Sequence, residues 1–155
     1  AEGQLPLVYD HTPTGRGDDY ADLTGQPLFP FGFGLSYTTF EYSALTISPD
    51  SIVAGAGARV ACRVKNTGTR AGDEVVQLYI HDELASVARP VMQLAGFARV
   101  HLAPGDAREV TFSLTDAQLG LVDRQMRRVV EPGAFRVMVG ASSKDIRLRG
   151  MLVVR

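Results

Sequence analysis

The sequence predicts an all-β fold, a β-sandwich, over most of its 155 residues. From Glu41 onward, apolar and polar residues alternate as in half-buried strands, for example in Val60-Ala-Cys-Arg-Val64 and in Phe135-Arg-Val-Met-Val139. Turn signals such as Pro104-Gly-Asp106 and Glu131-Pro-Gly133 separate these runs. No helix of ordinary length fits this part of the chain. Short strands that are separated so regularly are typical of a β-sandwich.

The alternation places the strands one after another along the chain. We expect them near 41–48, 58–66, 73–82, 97–102, 107–115, 127–130, 133–140 and 145–154. Thr115 precedes a short stretch that resembles a helical turn, and its hydroxyl suits the N-cap position. The segments 121–123 and 126–130 are expected to form a hairpin whose tip is 123–126.

Residues 1–26 follow a different pattern. Leu5-Pro-Leu-Val-Tyr9 has the composition of a strand, but the residues after it are rich in Gly, Thr, Asp and Pro and have no period. A lone strand has no obvious partner. If the chain stands alone, we expect this segment to be disordered or to wrap along the β domain. Because the chain starts at Ala1 without Met, we also expect it to be a fragment or a processed product.

Residues 27–42 hold six of the twelve aromatic residues of the chain. Pro27, Pro30, Gly32 and Gly34 exclude a helix in this segment. Aromatic side chains bury large apolar areas, so rings on an irregular backbone need a neighbour that covers them. We therefore expect the segment to pack against another part of a larger molecule. The six residues are Phe29, Phe31, Phe33, Tyr37, Phe40 and Tyr42.

The run PLFPFGFGLSYTTFEYS, which begins at Pro27, resembles the junction between the second catalytic domain and the C-terminal domain of family 3 glycoside hydrolases. The segment 4–16 resembles the last strand and loop of that family's α/β sandwich domain. The segments 66–80, 88–114 and 129–148 are similar to its fibronectin type III-like domain. The resemblance implies a remnant of the α/β sandwich domain in 1–26, an aromatic junction in 27–42, and an immunoglobulin-like sandwich of the fibronectin type III-like class in 43–155.

This resemblance implies an accessory, structural C-terminal domain that stabilises the catalytic domains of a parent enzyme and shapes the rim of its active site. The parent would hydrolyse terminal β-glycosidic bonds of β-glucosides or β-xylosides, in a periplasmic or secreted setting. No carboxylate of this chain lies in a motif that resembles the family's nucleophile or acid/base residue, so both would precede Ala1. We expect no catalytic residue here and no activity of the chain alone. A free-standing carbohydrate- or surface-binding β-sandwich is the alternative.

The predicted contacts with the catalytic domains involve two loops and the aromatic junction. Arg16 matches a loop at the base of the family's catalytic α/β domain, and Arg89 matches a loop that approaches the catalytic domains. Tyr79 has the opposite strand parity to Leu78 and Ile80, so we expect it to be exposed. It is a weak candidate for carbohydrate binding, against the alternative of ordinary surface. The full set of interface candidates is Arg16, Phe29, Phe31, Phe33, Tyr37, Phe40 and Arg89.

Bulk properties argue against several other functions. The formal net charge of -1 gives no basic face for nucleic acid, and the chain has no run of about 20 apolar residues that would span a membrane. His11, His81 and His101 lack metal-ligand spacing, and we expect neither a metal nor a cofactor. The single cysteine, Cys62, fits a buried apolar position better than a reactive thiol. Part of the rings at 29–33 should remain exposed unless residues 1–26 or a second copy covers them, and exposed rings would favour self-association.

Overall fold

The computed structural model describes residues 28–155, and this part of the chain is almost entirely β-structure. Its strands are β1 (Phe40–Ser48), β2 (Ser51–Ile52), β3 (Ala58–Asn66), β4 (Gly72–Asp82), β5 (Gln93–Leu102), β6 (Ala107–Leu114), β7 (Leu121–Val122), β8 (Arg128–Val129), β9 (Gly133–Gly140) and β10 (Ile146–Val154). One helical turn, α1 (Asp116–Leu119), lies between β6 and β7. The predicted all-β fold is confirmed.

The strands form a sandwich of two main sheets. One sheet has the order β1-β3-β6, and the other has the order β2-β10-β9-β4-β5. All neighbours are antiparallel except β2 and β10, which are parallel. Strand β4 lies between β5 and β9, and its Gln77 lies opposite Phe97 of β5 and opposite Gly140 of β9.

The core lies between the two sheets and contains the residues that the alternation predicted. Val60, Cys62 and Val64 of β3 are buried, and so are the inward residues of β4 and β9. The Cys62 side chain is 1% exposed and forms no disulfide, and burial raises its pKa to about 11. A thiol with such a pKa is protonated at neutral pH, so the prediction of a buried apolar cysteine is confirmed.

Two features of the strands differ from the prediction. Strand β5 begins at Gln93, four residues before the expected start at Phe97, and the short strand β2 was not predicted. In β5 the register shifts, since Gly96 lies opposite Leu78 whereas Leu94 lies opposite Tyr79. This bulge interrupts the alternation on which the prediction depends.

The connection between β6 and β9 matches the prediction. The Thr115 hydroxyl accepts a hydrogen bond from the Ala117 amide at 3.3 Å, and Gln118 accepts one from the Thr115 amide at 3.0 Å. Thr115 and Gln118 form a capping box, in which the side chain of each accepts from the backbone N–H of the other, and this satisfies free N–H groups at the start of α1. Strands β7 and β8 pair in the predicted hairpin, with Leu121 opposite Val129.

The outer face of β4 corrects one expectation from the sequence. Tyr79 has the outward parity that the sequence indicates, but its side chain is 0% exposed, so the expectation of an exposed tyrosine is wrong. Gln77 and Met138, on the same face, are also buried. The chain segment before β1 returns over this face, where Gln77 donates to the Gly32 carbonyl, and the Tyr79 hydroxyl donates to Gln77.

Candidate functional site

The segment 28–39, here called the junction segment, lies on the outer face of the five-stranded sheet. It contains a tight turn in which the Phe33 amide donates to the Pro30 carbonyl at 3.0 Å. The Ser143 amide, in the connection between β9 and β10, donates to the Phe31 carbonyl at 2.9 Å. Prolines and glycines keep this segment from forming a helix, so its carbonyl groups are free to accept hydrogen bonds from the sheet.

The rings of the junction segment are only partly covered. Phe29 is 42% and Phe33 is 38% exposed, and their ring centroids lie 5.0 Å apart with the planes tilted by 39°. Phe31 is half-buried. Tyr37 is 92% exposed, and the aliphatic residues Leu28 and Leu35 are also exposed. Such a concentration of apolar surface is characteristic of a contact with another protein surface.

Phe40 has a different environment from the other interface candidates. It is the first residue of β1, and its ring is buried in the core of the sandwich. Burial in the core indicates that Phe40 contributes to the stability of this domain, and its role at the domain interface stays a prediction.

An open groove of about 750 Å³ lies between the junction segment and the outer face of β4 and β5. Its apolar lining includes Phe33, Val75, Leu94 and Phe97. The Phe97 side chain is 68% exposed and that of Val75 is 40% exposed. The groove therefore extends the apolar surface of the junction segment onto the sheet. We call the two together the junction face.

A polar cluster forms one end of this groove and joins three strands. The Tyr42 hydroxyl donates to Glu74 at 3.1 Å, and the Arg147 guanidinium lies 4.8 Å above the centre of the Tyr42 ring. Arg147 also pairs with Asp145 at 2.8 Å. Burial raises the pKa of Glu74 above its ordinary value, although the Tyr42 hydrogen bond and Arg147 oppose this shift. Burial and the Glu74 charge raise the pKa of Tyr42 as well, so the phenol stays protonated.

A second polar group lines the groove on the sheet surface. Asp73 accepts a hydrogen bond from Arg99, and its carboxylate lies 2.7 Å from the His101 ring. The Arg99 hydrogen bond and then the His101 contact lower the pKa of Asp73. This carboxylate is therefore ionised and paired, and it lacks the raised pKa that a general acid needs near neutral pH.

Arg89, unlike the exposed aromatic candidates, forms hydrogen bonds within the domain. Its guanidinium donates to the Gly120 carbonyl at 3.1 Å and to the Gln93 side chain at 2.9 Å. These bonds fasten the loop between β4 and β5 to the chain that follows α1. In the same loop Leu84 is 84% exposed. Arg16 lies outside the described residues.

Two kinds of feature are absent from the described part of the chain. Within 28–155, no group of three or more His, Cys, Asp or Glu side chains is arranged to hold a metal ion. No helix in the same range has the length and apolar character that crossing a membrane requires.

Comparison with known proteins identifies the family. Residues 74–143 match the model of the fibronectin type III-like domain. A β-xylosidase from Formosa agariphila is 46% identical over 147 residues, which cover 92% of this chain and 20% of that protein. A β-glucosidase from Bacteroides ovatus is 49% identical over 123 residues, covering 79% of this chain and 16% of that protein. The chain belongs to the fibronectin type III-like domains of family 3 glycoside hydrolases.

Solved structures agree with this assignment. A β-glucosidase from Erythrobacter marinus superposes on the chain with a TM-score of 0.86 at 39% identity, and a β-glucosidase from Listeria innocua in complex with glucose does so with a TM-score of 0.85 at 35% identity. The matches cover 99% and 98% of this chain but only 20% and 22% of those chains. The chain thus spans about a fifth of the length of these relatives.

The sheet-side half of the junction face was not found from the sequence of this domain. Val75, Leu94 and Phe97 line the groove, but none of them was a candidate. Phe97 could have been found by its outward parity in β5, which follows once the bulge is known. Val75 could have been found in the same way, because it is the outward neighbour of the buried Val76 in β4. Apolar residues at outward positions of neighbouring strands are the pattern to search for.

Proposed function

We propose that this accessory domain docks through its junction face onto the catalytic part of a β-glucosidase- or β-xylosidase-type enzyme, one that hydrolyses terminal β-glycosidic bonds. The observation that carries the proposal is the pair of half-exposed rings, Phe29 and Phe33, beside the exposed Phe97. Together they form an exposed apolar surface, and such contiguous surfaces usually mark a site of contact with another protein.

The geometry suits a structural contact better than chemistry. The carboxylates around the groove, Glu74, Asp73 and Asp145, are each bonded to a neighbouring side chain of the same domain. Their partners fix them at the edge of an apolar surface. This arrangement resembles the polar rim of a protein interface, where aromatic rings in the centre supply most of the binding free energy.

The experiment that tests the proposal supplies the catalytic part and this chain as separate polypeptides. The double variant Phe29→Ser with Phe33→Ser should bind the catalytic part at least tenfold more weakly in calorimetry, because burying one Phe side chain contributes about 1.5–3 kcal/mol. Val122→Ser is the matched control. Val122 is also an exposed apolar residue, 52% exposed, but it lies on the β7–β8 hairpin and does not line the groove.

The activity readout separates docking from catalysis by this domain. An aryl β-glucoside or β-xyloside should be hydrolysed only when the catalytic part is present, and the catalytic part should be more heat-resistant with the wild-type domain than with the double variant. Hydrolysis by the domain alone, or equal affinity for the wild-type and double-variant domains, would overturn the proposal.

The second candidate function, a free-standing carbohydrate- or surface-binding sandwich, rests on one observation, the 92% exposed ring of Tyr37. The buried ring of Tyr79 offers no stacking surface to a sugar. Retention of the domain on insoluble polysaccharide, lost in Tyr37→Ala, would favour this second function. If neither the wild-type domain nor Tyr37→Ala is retained, carbohydrate binding is excluded and docking remains as the proposed function.

A further inference from the structure

The strongest unexplained feature of the domain is a buried amide on an outer sheet face. Gln77 has outward parity in β4, yet its side chain is only 4% exposed. Val75, two residues earlier on the same face, is 40% exposed. A buried polar side chain must find hydrogen-bond partners, since an unpaired amide would be costly.

Gln77 uses each hydrogen-bonding group of its amide. Its nitrogen donates to the Gly32 carbonyl at 2.9 Å and to the Ala141 carbonyl at 2.7 Å. Its oxygen accepts from the Tyr79 hydroxyl at 2.5 Å. Because both partners of the nitrogen are carbonyl groups, which only accept, the orientation of the amide is fixed. Tyr79 fixes it from the other side, because here its hydroxyl serves as the donor.

The junction segment can approach this amide only because residue 32 is glycine. Gly32 has φ +77°, and a Cβ atom built there would lie 2.0 Å from the Gln77 side-chain oxygen. Any side chain there would displace either the Gln77 amide or the segment, and in both cases it would break the hydrogen bond between them. A Cβ atom built at Gly34, two residues later, would have no atom within 4 Å. The steric constraint therefore applies to Gly32 and not to Gly34.

The bonds hold two successive carbonyl groups, those of Phe31 and Gly32. These residues lie between the two rings that carry the proposed docking role, Phe29 and Phe33. Because the backbone is held at Phe31 and Gly32, the Cα positions of Phe29 and Phe33 cannot move away from the sheet without breaking one of these bonds. The hydrogen bonds therefore set the position of the backbone that carries both rings relative to β4.

We propose that Gln77 and Tyr79 act as positioning residues, a clamp that holds the junction segment so that Phe29 and Phe33 are presented to the catalytic part in one fixed arrangement. This inference rests on the proposed docking function. It adds the residues that determine the geometry of that contact, and they are themselves buried beneath it.

The first test measures the clamp within the full chain, without any partner. In Gln77→Glu the side chain keeps its size but loses both N–H donors. Hydrogen exchange at the amides of Phe33 and Ser143 should then become roughly tenfold faster, as expected for loss of buried hydrogen bonds. Exchange within β3 should be unchanged. Gln125→Glu, the same replacement at an exposed position of the β7–β8 hairpin, is the matched control.

Glycine variants provide a second pair in case Gln77→Glu folds poorly. Gly32→Ala should release the junction segment, whereas Gly34→Ala should leave exchange at the Phe33 and Ser143 amides unchanged. Tyr79→Phe removes only the hydroxyl and should give a smaller acceleration, about threefold. Unchanged exchange at both amides in Gln77→Glu and in Gly32→Ala would overturn the clamp.

The second test measures binding of the same variants to the separately supplied catalytic part. Gln77→Glu and Gly32→Ala should bind roughly tenfold more weakly, with Gln125→Glu and Gly34→Ala matching the wild type, as expected when rings lose their preorganisation. Faster exchange with unchanged affinity would overturn the positioning role while leaving docking intact. If the wild-type domain does not bind at all, the proposed function fails, and the exchange data still decide whether the clamp exists.

Discussion

Rings that are neighbours in the sequence serve opposite purposes on the two sides of residue 40. Phe40 and Tyr42 belong to β1, and each is only 8% exposed, within the core of the sandwich. Phe29 and Phe33, in the junction segment, are 42% and 38% exposed. Both parts are rich in aromatic residues, but only the junction segment contains proline and glycine. The difference teaches that regular strand pairing turns a ring toward the core of its own domain, whereas an irregular segment fastened by its carbonyl groups leaves rings available to a partner.

The largest expected effect is a difference in the free energy of unfolding between a variant of Phe40 and a variant of Phe29. Phe40→Ala should lower the free energy of unfolding by about 3–5 kcal/mol, since it leaves a cavity in the core. Phe29→Ala should lower it by less than about 1 kcal/mol, because the ring is half exposed. Urea unfolding of the two variants checks this. Equal losses would mean that the two parts of the aromatic run do not differ in function.

The next effect concerns the rings outside the core. If nothing else covers the junction face, two copies of the chain should associate through it. Phe33→Ser should then weaken self-association about tenfold, a change of about 1.4 kcal/mol. Sedimentation equilibrium over a range of concentrations measures this. A wild-type chain that stays monomeric at all concentrations would contradict the expectation.

A smaller effect is expected inside the core. Tyr42→Phe keeps the ring under Arg147 but removes the hydrogen bond to Glu74. The free energy of unfolding should fall by about 1 kcal/mol, as is usual for one such bond. Thermal unfolding of Tyr42→Phe and Phe40→Ala under the same conditions tests whether the first variant loses less stability than the second. A loss as large as that of Phe40→Ala would show that the hydroxyl matters more than the packing of the rings.

The smallest effect is a pH dependence. Burial raises the pKa of Glu74 in the folded state, so the folded domain binds its proton more tightly than the unfolded chain. The stabilisation that comes from binding this proton is therefore fully present below pH 4.5, the pKa of Glu74 in the unfolded chain. It is lost as the pH rises through the pKa of Glu74 in the folded domain. Glu74→Gln, which stays neutral, should remove this loss and raise stability at pH 7 by less than about 1 kcal/mol.

Urea unfolding at pH 4 and at pH 7 measures this difference for the wild type and for Glu74→Gln. Gln125→Glu, which changes an exposed position of the β7–β8 hairpin, shows the effect of a new carboxylate that is not buried. A wild type that gains stability from Glu74 as the pH rises would reverse the sign of the prediction.

Period-two alternation was sufficient for most of the sandwich. It predicted the inward residues of β3, β4 and β9, because each of these strands buries one face against the opposite sheet. It failed for Tyr79, which has outward parity but is buried and donates to Gln77, the residue that holds the junction segment. The bulge in β5 was equally inaccessible, since it depends on which residues of β4 lie opposite.

The junction face was predictable in part. The aromatic composition of the segment indicated that its rings needed a partner, and the resemblance indicated which kind of partner. The sequence could not distinguish Phe40 from Phe29, because that difference follows from the residue at which β1 begins pairing with β3. The domain boundaries and the role of Arg16 remain predictions, and residues 1–27 lie outside the described part of the chain.

The most direct test of docking is side-chain labelling by hydroxyl radicals, followed by mass spectrometry, on the domain alone and on the domain bound to the catalytic part. We predict that Phe29, Phe33 and Phe97 are labelled in the free domain and protected at least severalfold in the complex, while Met126, which is 84% exposed on the distant hairpin, is labelled equally in both. Equal labelling of the three rings with and without the catalytic part would contradict the account.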